Sequence, residues 1–227
     1  METTHIIFDL DGTLVDTIED IALAMNRALL PNGFAALPLS AYPELVGWGI
    51  HRLAELALVR QGVGTTGADG AALVDRIARV AQEYYDAVPL KFSKPYPGIP
   101  ELLHHLVDAG LVLAVLTNKP DPVARQVVQG LFPHIPFAHI RGDRSGAPKK
   151  PDPALTRSVM EIIGAGSRST LFVGDSVVDV QTAHNVGCPV VGVAWGFRGP
   201  AELLEAGAEY IIQRPEELNK VLSRNEL

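Results

Sequence analysis

The sequence is short of three things: cysteine, long hydrophobic runs and an excess of basic residues. With a single cysteine, Cys188, no disulfide can form within the chain, and a reducing compartment fits. The longest wholly aliphatic run, residues 111–116, is far below the roughly 18 residues of a membrane-spanning helix. Lysine and arginine number 19 against 26 aspartate and glutamate residues, so the net charge is −7. Because such a protein repels polyphosphate backbones and anionic lipids, we expect neither nucleic acid nor a membrane as its partner.

The same features bear on location and on substrate. The first residues, Met-Glu-Thr-Thr-His, have neither the basic start nor the apolar segment of a secretory signal, so we expect a cytoplasmic protein. A small anionic substrate is compatible with the net charge only if the chain supplies a local positive centre, such as a metal ion or a lysine.

Hydrophobic patterning predicts an α/β fold. Short apolar runs that stop at turns predict strands at residues 6–10, 111–116, 170–173 and 190–193, with weaker candidates at 137–140 and 209–212. Helical patterns lie between them, and two of these begin at Asp121-Pro122 and Asp152-Pro153, where an N-cap acid precedes a proline. Alternating strands and helices predict a doubly wound, Rossmann-like parallel sheet with helices on both faces.

Residues 16–90 interrupt that alternation. Apolar residues recur there with helical spacing in three stretches, and no strand is predicted between them. We therefore predict a small α-helical cap domain over residues 16–92, inserted into a core domain formed by 1–15 and 93–227. Insertion directly after the first strand would place the helical domain over the sheet edge where open α/β sheets bind ligands.

Polar residues of unusual type end or follow the predicted strands. Asp9 and Asp11 close the first strand, Thr117 ends a later one, and Asp175 and Asp179 follow a third. In a parallel sheet these strand ends meet at one edge, where several carboxylates would repel each other unless a cation neutralised them. A hard divalent ion with oxygen ligands, Mg²⁺ in particular, suits such a site.

These residue types also suggest a division of labour. A carboxylate beside the metal can attack an electrophile, while its neighbour acts as general acid and base. Thr117 and one of the adjacent lysines, Lys149 or Lys150, can hold the oxygens of a transferring phosphoryl group. The local positive centre that the net charge demands is therefore available.

Four ordered segments resemble the motifs of the haloacid dehalogenase superfamily of phosphotransferases. They are Asp9-Leu10-Asp11-Gly12-Thr13, Thr117-Asn118-Lys119, Lys150-Pro151-Asp152-Pro153 and Gly174-Asp175-Ser176-Val177-Val178-Asp179. The helical insertion resembles the C1-type cap of that superfamily, and the stretches 116–120 and 174–196 resemble its phosphoglycolate phosphatase branch. The dehalogenating branch lacks an acid at the position of Asp11, so its presence favours phosphate chemistry.

The resemblance implies a Mg²⁺-dependent phosphatase that hydrolyses a small phosphorylated metabolite, with phosphoglycolate favoured. It implies that Asp9 is the nucleophile that becomes aspartyl phosphate and that Asp11 protonates the leaving oxygen and then activates water. Phosphate would be bound by Thr117 and Lys150. The metal would be held by Asp9, the backbone carbonyl of Asp11 and Asp175, with Asp179 holding metal-bound water or the lysine.

The remaining expectations concern substrate recognition. Gly12, Asn118, Trp48 and Arg52 are candidate substrate-binding residues, the last two in a cap loop that the resemblance places over the active site. A carboxylate on the substrate would need a cation, for which Lys119, Arg52 and Arg198 are candidates.

Other functions stay open on the sequence alone. A sugar phosphomutase shares every motif and differs in whether water reaches the phosphoenzyme. A phospho-accepting signalling receiver domain also uses acids, threonine and lysine, but its accepting aspartate follows the third strand. A non-catalytic binding protein on this fold would be expected to lack a motif residue. The sequence gives no indication of the oligomeric state.

Overall fold

The central feature of the fold is a six-stranded sheet in which every neighbouring pair is parallel. A computed structural model describes residues 3–223 of the chain. Its strands are β1 (His5–Phe8), β2 (Val15–Asp16), β3 (Lys94–Pro95), β4 (Val112–Pro120), β5 (His139–Asp143), β6 (Thr170–Gly174), β7 (Val190–Val193) and β8 (Tyr210–Ile212). The large sheet has the order β5-β4-β1-β6-β7-β8, and β2 and β3 form a separate antiparallel pair. The predicted doubly wound parallel sheet is confirmed, whereas the short β2–β3 pair was not predicted.

Nine α-helices accompany the strands in the described part of the chain. They are α1 (Ile18–Leu29), α2 (Ile50–Val59), α3 (Gly67–Ala87), α4 (Ile99–Asp108), α5 (Asp121–Leu131), α6 (Pro153–Ile163), α7 (Val177–His184), α8 (Pro200–Glu205) and α9 (Leu218–Ser223). Central strands such as β6 are buried along their whole length, because helices cover the sheet. Apolar side chains of α6 and α7, including Val159 and Val180, pack on Ile7 and Phe172 of the sheet.

The two predicted helix caps have different outcomes. Asp152 precedes α6 and its carboxylate accepts a hydrogen bond from the backbone N–H of Ala154 at 2.8 Å, as an N-cap does. Asp121 is not a cap, which corrects the prediction, because it is the first residue of α5 and Pro120 is the N-cap. Its carboxylate instead accepts from the backbone N–H of Gly142 at 2.9 Å and from the side chain of Arg125.

The chain divides into two compact units, residues 1–16 with 94–227 and residues 17–93. The second unit contains α1, α2 and α3, whose buried residues include Leu29, Leu58 and Ile77. These junctions lie one residue beyond the predicted domain boundaries, and the role of this unit as a cap stays a prediction. No helix in residues 3–223 is both long enough and apolar enough to cross a membrane.

A buried aspartate joins the beginning and the end of the helical unit. Asp20, in the first turn of α1, accepts hydrogen bonds from the backbone N–H groups of Phe92 and Ser93 at 2.9 and 2.7 Å. The Ser93 hydroxyl donates to the same carboxylate at 2.6 Å. Because charge-assisted hydrogen bonds are stronger than neutral ones, these contacts hold the last residues of the helical unit firmly against its first helix, α1.

Candidate active site

The candidate site lies where the direction of winding changes in the sheet. The central strand β1 pairs with β4 on one side and β6 on the other, so the carboxyl ends of these three strands adjoin. Open α/β sheets bind ligands at such a switch point. Asp9 follows β1 directly, Thr117 lies within β4, and Asp175 follows β6. The parallel topology therefore brings together residues that are far apart in the sequence.

Three buried carboxylates form the centre of the site. Asp9, Asp175 and Asp179, called the acid cluster below, each offer a carboxylate oxygen, and these oxygens lie within 4.8 Å of one another. Two unit negative charges at that separation repel by about 3 kcal/mol at an effective dielectric constant near 20. Burial first, and then the Asp179 carboxylate, raise the pKa of Asp9 to about 7. The pKa of Asp175 is raised by burial and by the Asp179 and Asp9 carboxylates.

One buried lysine stands among these acids. The ammonium of Lys150 lies 2.7 Å from Asp9 Oδ1 and 2.6 Å from Asp179 Oδ1, and its side chain is 2% exposed. Burial alone would lower the pKa of Lys150, but the Asp179 and Asp9 carboxylates outweigh burial and raise it. Lys150 is therefore a permanent cation that links two of the three acids.

The acid cluster is a suitable site for a divalent cation. When all three carboxylates are ionised, the acid cluster and Lys150 together carry two negative charges, which a divalent ion would neutralise. Asp9 Oδ1 is buried and, although close to Lys150, receives no hydrogen bond of acceptable angle. Hard oxygen donors of this kind suit Mg²⁺, Mn²⁺ or Ca²⁺ rather than softer metals. The donor set thus fits a metal ion without identifying which one.

The Asp175 carboxylate is closely surrounded by groups from the segments that contain Thr13 and Phe197. Its carboxylate accepts from the backbone N–H of Phe197 at 2.8 Å and from the Thr13 hydroxyl at 3.3 Å. A Cβ atom at Gly12 or at Gly196 would overlap with Asp175, and Gly12 also has a φ of +84°, which favours glycine. Gly12 thus has a clear structural requirement, and the substrate contact expected for it stays a prediction.

Asp179 is anchored by the beginning of its own helix. Both the backbone N–H and the hydroxyl of Ser176, the N-cap of α7, donate to Asp179 Oδ2, at 3.1 and 2.7 Å. Its other oxygen, Oδ1, accepts from Lys150. Asp179 therefore contacts Lys150 directly, and its expected part in metal binding stays a prediction.

Asp11 lies beside the acid cluster rather than in it. Its side chain is not among the clustered carboxylates, and its Oδ1 accepts a hydrogen bond from Lys119 Nζ at 2.8 Å. The expected metal contact of Asp11 through its backbone carbonyl stays a prediction. Lys119 is almost fully buried and forms an ion pair with Asp11, and the contact with a substrate carboxylate expected for it stays a prediction.

Asn118 uses its side chain on the backbone of Lys150. Its Nδ2 donates to the carbonyl of Lys150 at 3.1 Å, and its Oδ1 accepts from the N–H of Lys150 at 2.9 Å. These two bonds join β4 to the segment that carries the lysine. The substrate contact expected for Asn118 stays a prediction, and sequence reasoning missed this contact because it joins residues far apart in the chain.

Two aromatic residues near the site were also missed. The indole N–H of Trp195 donates to the carbonyl of Thr13 at 3.0 Å, and its ring lies against Tyr96 with a centroid separation of 6.5 Å. The pKa of Tyr96 is raised by burial and by the nearby carboxylates of Asp16, Asp175 and Asp11. The one sequence signal for Trp195 is its position two residues after the strand that ends at Val193.

The expected substrate residues of the helical unit have local partners. Arg52, in α2, is exposed and forms an ion pair with Glu55 at 2.6 Å. Trp48 is half-buried in the loop before that helix. In the sheet unit, the guanidinium of Arg198 lies 3.8 Å from the Glu202 carboxylate. Substrate binding by these three residues stays a prediction.

Comparison with known proteins gives consistent results. The family model described as haloacid dehalogenase-like hydrolase matches residues 6–193. The phosphoglycolate phosphatase of Rhodospirillum rubrum is 37% identical over 207 residues, which cover 90% of this chain and 86% of that protein. The phosphoglycolate phosphatase of Mesorhizobium japonicum is 34% identical over 198 residues, or 87% of this chain and 85% of that protein.

Solved structures of related proteins are also similar to this chain over most of its length. A crystal structure of a protein from Lactobacillus delbrueckii subsp. bulgaricus has a TM-score of 0.88 at 29% identity and covers 98% of this chain and 99% of that one. The structure of CbbY from Rhodobacter sphaeroides in complex with phosphate has a TM-score of 0.76 at 26% identity and covers 95% and 96% of the two chains.

Proposed function

The chain belongs to the haloacid dehalogenase-like hydrolase family, and we propose that it is a Mg²⁺-dependent phosphatase that hydrolyses a small phosphorylated metabolite. The observation that carries the proposal is the acid cluster with Lys150 at the switch point of the sheet. Relatives named as phosphoglycolate phosphatases, similar over most of their length, make phosphoglycolate the favoured substrate. The proposal includes the cytoplasmic location expected from the sequence.

In the proposed reaction, Asp9 is the nucleophile. Its carboxylate oxygen attacks phosphorus, the bond from phosphorus to the alkoxide oxygen breaks, and Asp11 gives its proton to that leaving oxygen. Asp11 then takes a proton from water, whose oxygen attacks the phosphorus of the aspartyl phosphate. The bond from phosphorus to Asp9 breaks, which releases inorganic phosphate and restores the carboxylate.

The surrounding residues hold the phosphoryl group and the nucleophile. Lys150 neutralises Asp9 and, as a permanent cation, attracts the phosphoryl oxygens. The hydroxyl of Thr117 accepts from the backbone N–H of Lys119 at 3.2 Å, which orients it to donate its own proton to a phosphoryl oxygen. Mg²⁺, which Asp9 and Asp175 would hold with the backbone carbonyl of Asp11, supplies charge neutralisation when bound.

A panel of phosphomonoesters tests the proposal. We expect phosphate release from 2-phosphoglycolate and from some sugar phosphates in the presence of Mg²⁺, and none after chelation with EDTA. Asp9→Asn should abolish turnover while the protein stays folded. The matched control is Asp108→Asn, at an exposed position of α4, which should retain activity.

Two results would contradict the proposal. The first is the absence of phosphate release from every ester in the panel. The second is release that continues in EDTA or in folded Asp9→Asn protein. Transfer of the phosphoryl group to a sugar hydroxyl, in place of release to water, would assign the protein as a phosphomutase.

A further inference from the structure

A buried lysine that the proposed mechanism does not use lies beside Asp11. Lys119 stands near the end of β4, and its side chain is 1% exposed. Its Nζ donates to Asp11 Oδ1 at 2.8 Å, and the Asp11 side chain is 18% exposed. Because an ammonium is costly to bury without a counter-charge, the buried Lys119 side chain depends on the Asp11 carboxylate as its partner.

The end of β4 contacts two other segments of the chain through the side chains of Asn118 and Lys119. The carboxamide of Asn118 holds the backbone of Lys150, and the ammonium of Lys119 holds the side chain of Asp11. Both contacts lie in the sheet unit, and both join a rigid central strand to a residue on a connecting segment. Such contacts from a strand can position reactive groups within the narrow limits that catalysis requires.

We propose that Lys119 is the positioning residue of Asp11, a role that rests on the function proposed above. In this proposal the ammonium holds Oδ1 of Asp11, and the proton is exchanged at the other oxygen, Oδ2. In the first step this proton passes from Oδ2 to the leaving oxygen, and in the second step the same Oδ2 takes a proton from water. Lys119 stays on Oδ1 throughout, so one orientation of the carboxyl group serves both steps.

Two substrates with different leaving groups distinguish a positioning role of Lys119 from its other possible roles. An alkyl phosphate needs the acid to protonate its leaving oxygen, whereas p-nitrophenyl phosphate has a leaving group that departs without it. Hydrolysis of the aspartyl phosphate needs Asp11 as a base for either substrate. Poor positioning of Asp11 therefore slows turnover of both esters but spares formation of the phosphoenzyme from the aryl ester.

Rapid-quench kinetics of the Mg²⁺-loaded enzyme test this. In Lys119→Met we expect kcat for an alkyl phosphate to fall about 10- to 100-fold, while KM changes less than about twofold. With p-nitrophenyl phosphate we expect a burst of nitrophenol of about one per active site, followed by slow turnover. Lys119→Arg should recover part of kcat, and the control Lys220→Met, at an exposed position of α9, should match wild type.

A double-mutant cycle covers the case in which Lys119→Met alone folds poorly. In an Asp11→Asn background the aspartate charge is gone, so removal of the ammonium no longer leaves an ionised carboxylate without its partner. If Lys119 acts through Asp11, adding Lys119→Met to Asp11→Asn should lower kcat no further. A further loss of about 10-fold or more in the double variant would overturn the proposal.

Each other outcome has a distinct meaning. A rise in KM with unchanged kcat would overturn positioning, because it would make Lys119 a substrate ligand. Parallel loss of burst and turnover, or no change at all, would overturn it as well. If the wild-type enzyme hydrolysed neither ester, the proposed function would fail, and the role of Lys119 with it. An active wild type with an unchanged Lys119→Met would overturn the role of Lys119 alone.

Discussion

Replacing Asn118 with alanine removes the two hydrogen bonds that hold the backbone of Lys150. The bonds measure 3.1 and 2.9 Å, and both are buried. A buried donor or acceptor left without its partner costs about 1–3 kcal/mol, so loss of the pair should lower the free energy of unfolding by about 2–6 kcal/mol. Because Lys150 Nζ lies 2.7 Å from Asp9, a shift of its backbone also displaces the ammonium from the nucleophile. A misplacement of about 1 Å can cost about 100-fold, so we expect kcat to fall about 10- to 100-fold with little change in KM.

Urea unfolding and steady-state hydrolysis of a phosphomonoester measure these two effects. Asn118→Asp keeps an acceptor for the N–H of Lys150 but cannot donate to its carbonyl, so it should impair both properties. Asn219→Ala, in α9, is the matched control and should change neither. The reasoning is refuted if folded Asn118→Ala keeps kcat within about twofold of wild type. A tenfold rise in KM at unchanged kcat would instead support the substrate contact predicted from the sequence.

Three further predictions follow from the packing and charge of the described residues. Gly196→Ala should weaken Mg²⁺ binding, measured by calorimetry, by at least about tenfold, because the added Cβ would overlap with Asp175. Unchanged affinity would contradict the close packing of residue 196 against Asp175. Asp20→Ala should cost about 3–5 kcal/mol in urea unfolding, since three donors lose a charged acceptor, whereas Ser93→Ala should cost about 1–2 kcal/mol. The pKa of Asp9 is about 7 in the folded protein against 3.8 ordinarily, so the folded state binds the extra proton between these values. The melting temperature of metal-free wild type should therefore fall more, or rise less, than that of Asp9→Asn as pH rises from about 4 to about 7, and an equal change in the two proteins would contradict the charge balance.

The sheet was predictable because its physical signal is local. A strand buried on both faces must be apolar throughout, so β6 and β7 stand out as apolar runs that stop at turns. Once the strands are parallel, the residues that follow them meet at one edge. The closeness of Asp9 to Asp175 therefore follows from topology, although the two residues are 166 positions apart.

The hydrogen-bond partners of the site residues were not predictable, because they lie on segments that are distant in the sequence. Lys119 and Asp11 are separated by 108 positions, and Asn118 and Lys150 by 32. From the sequence, Lys119 was a candidate for binding a carboxylate of the substrate, and nothing in the pattern indicated its ion pair with Asp11. Asp121 shows the same limit at a helix end, since an acid before a proline matches the cap pattern whether its carboxylate caps the helix or binds Gly142 and Arg125.

The central claim is that the phosphoryl group passes through a covalent bond to Asp9. The most direct measurement is mass spectrometry of peptides from Mg²⁺-loaded enzyme that is quenched in acid within milliseconds of mixing with a phosphomonoester. We predict one added phosphoryl group, located on the peptide that contains Asp9, which decays as phosphate is released and is absent in Asp9→Asn. An active enzyme that shows no phosphoryl adduct at any time, or carries it on another residue, would contradict the claim.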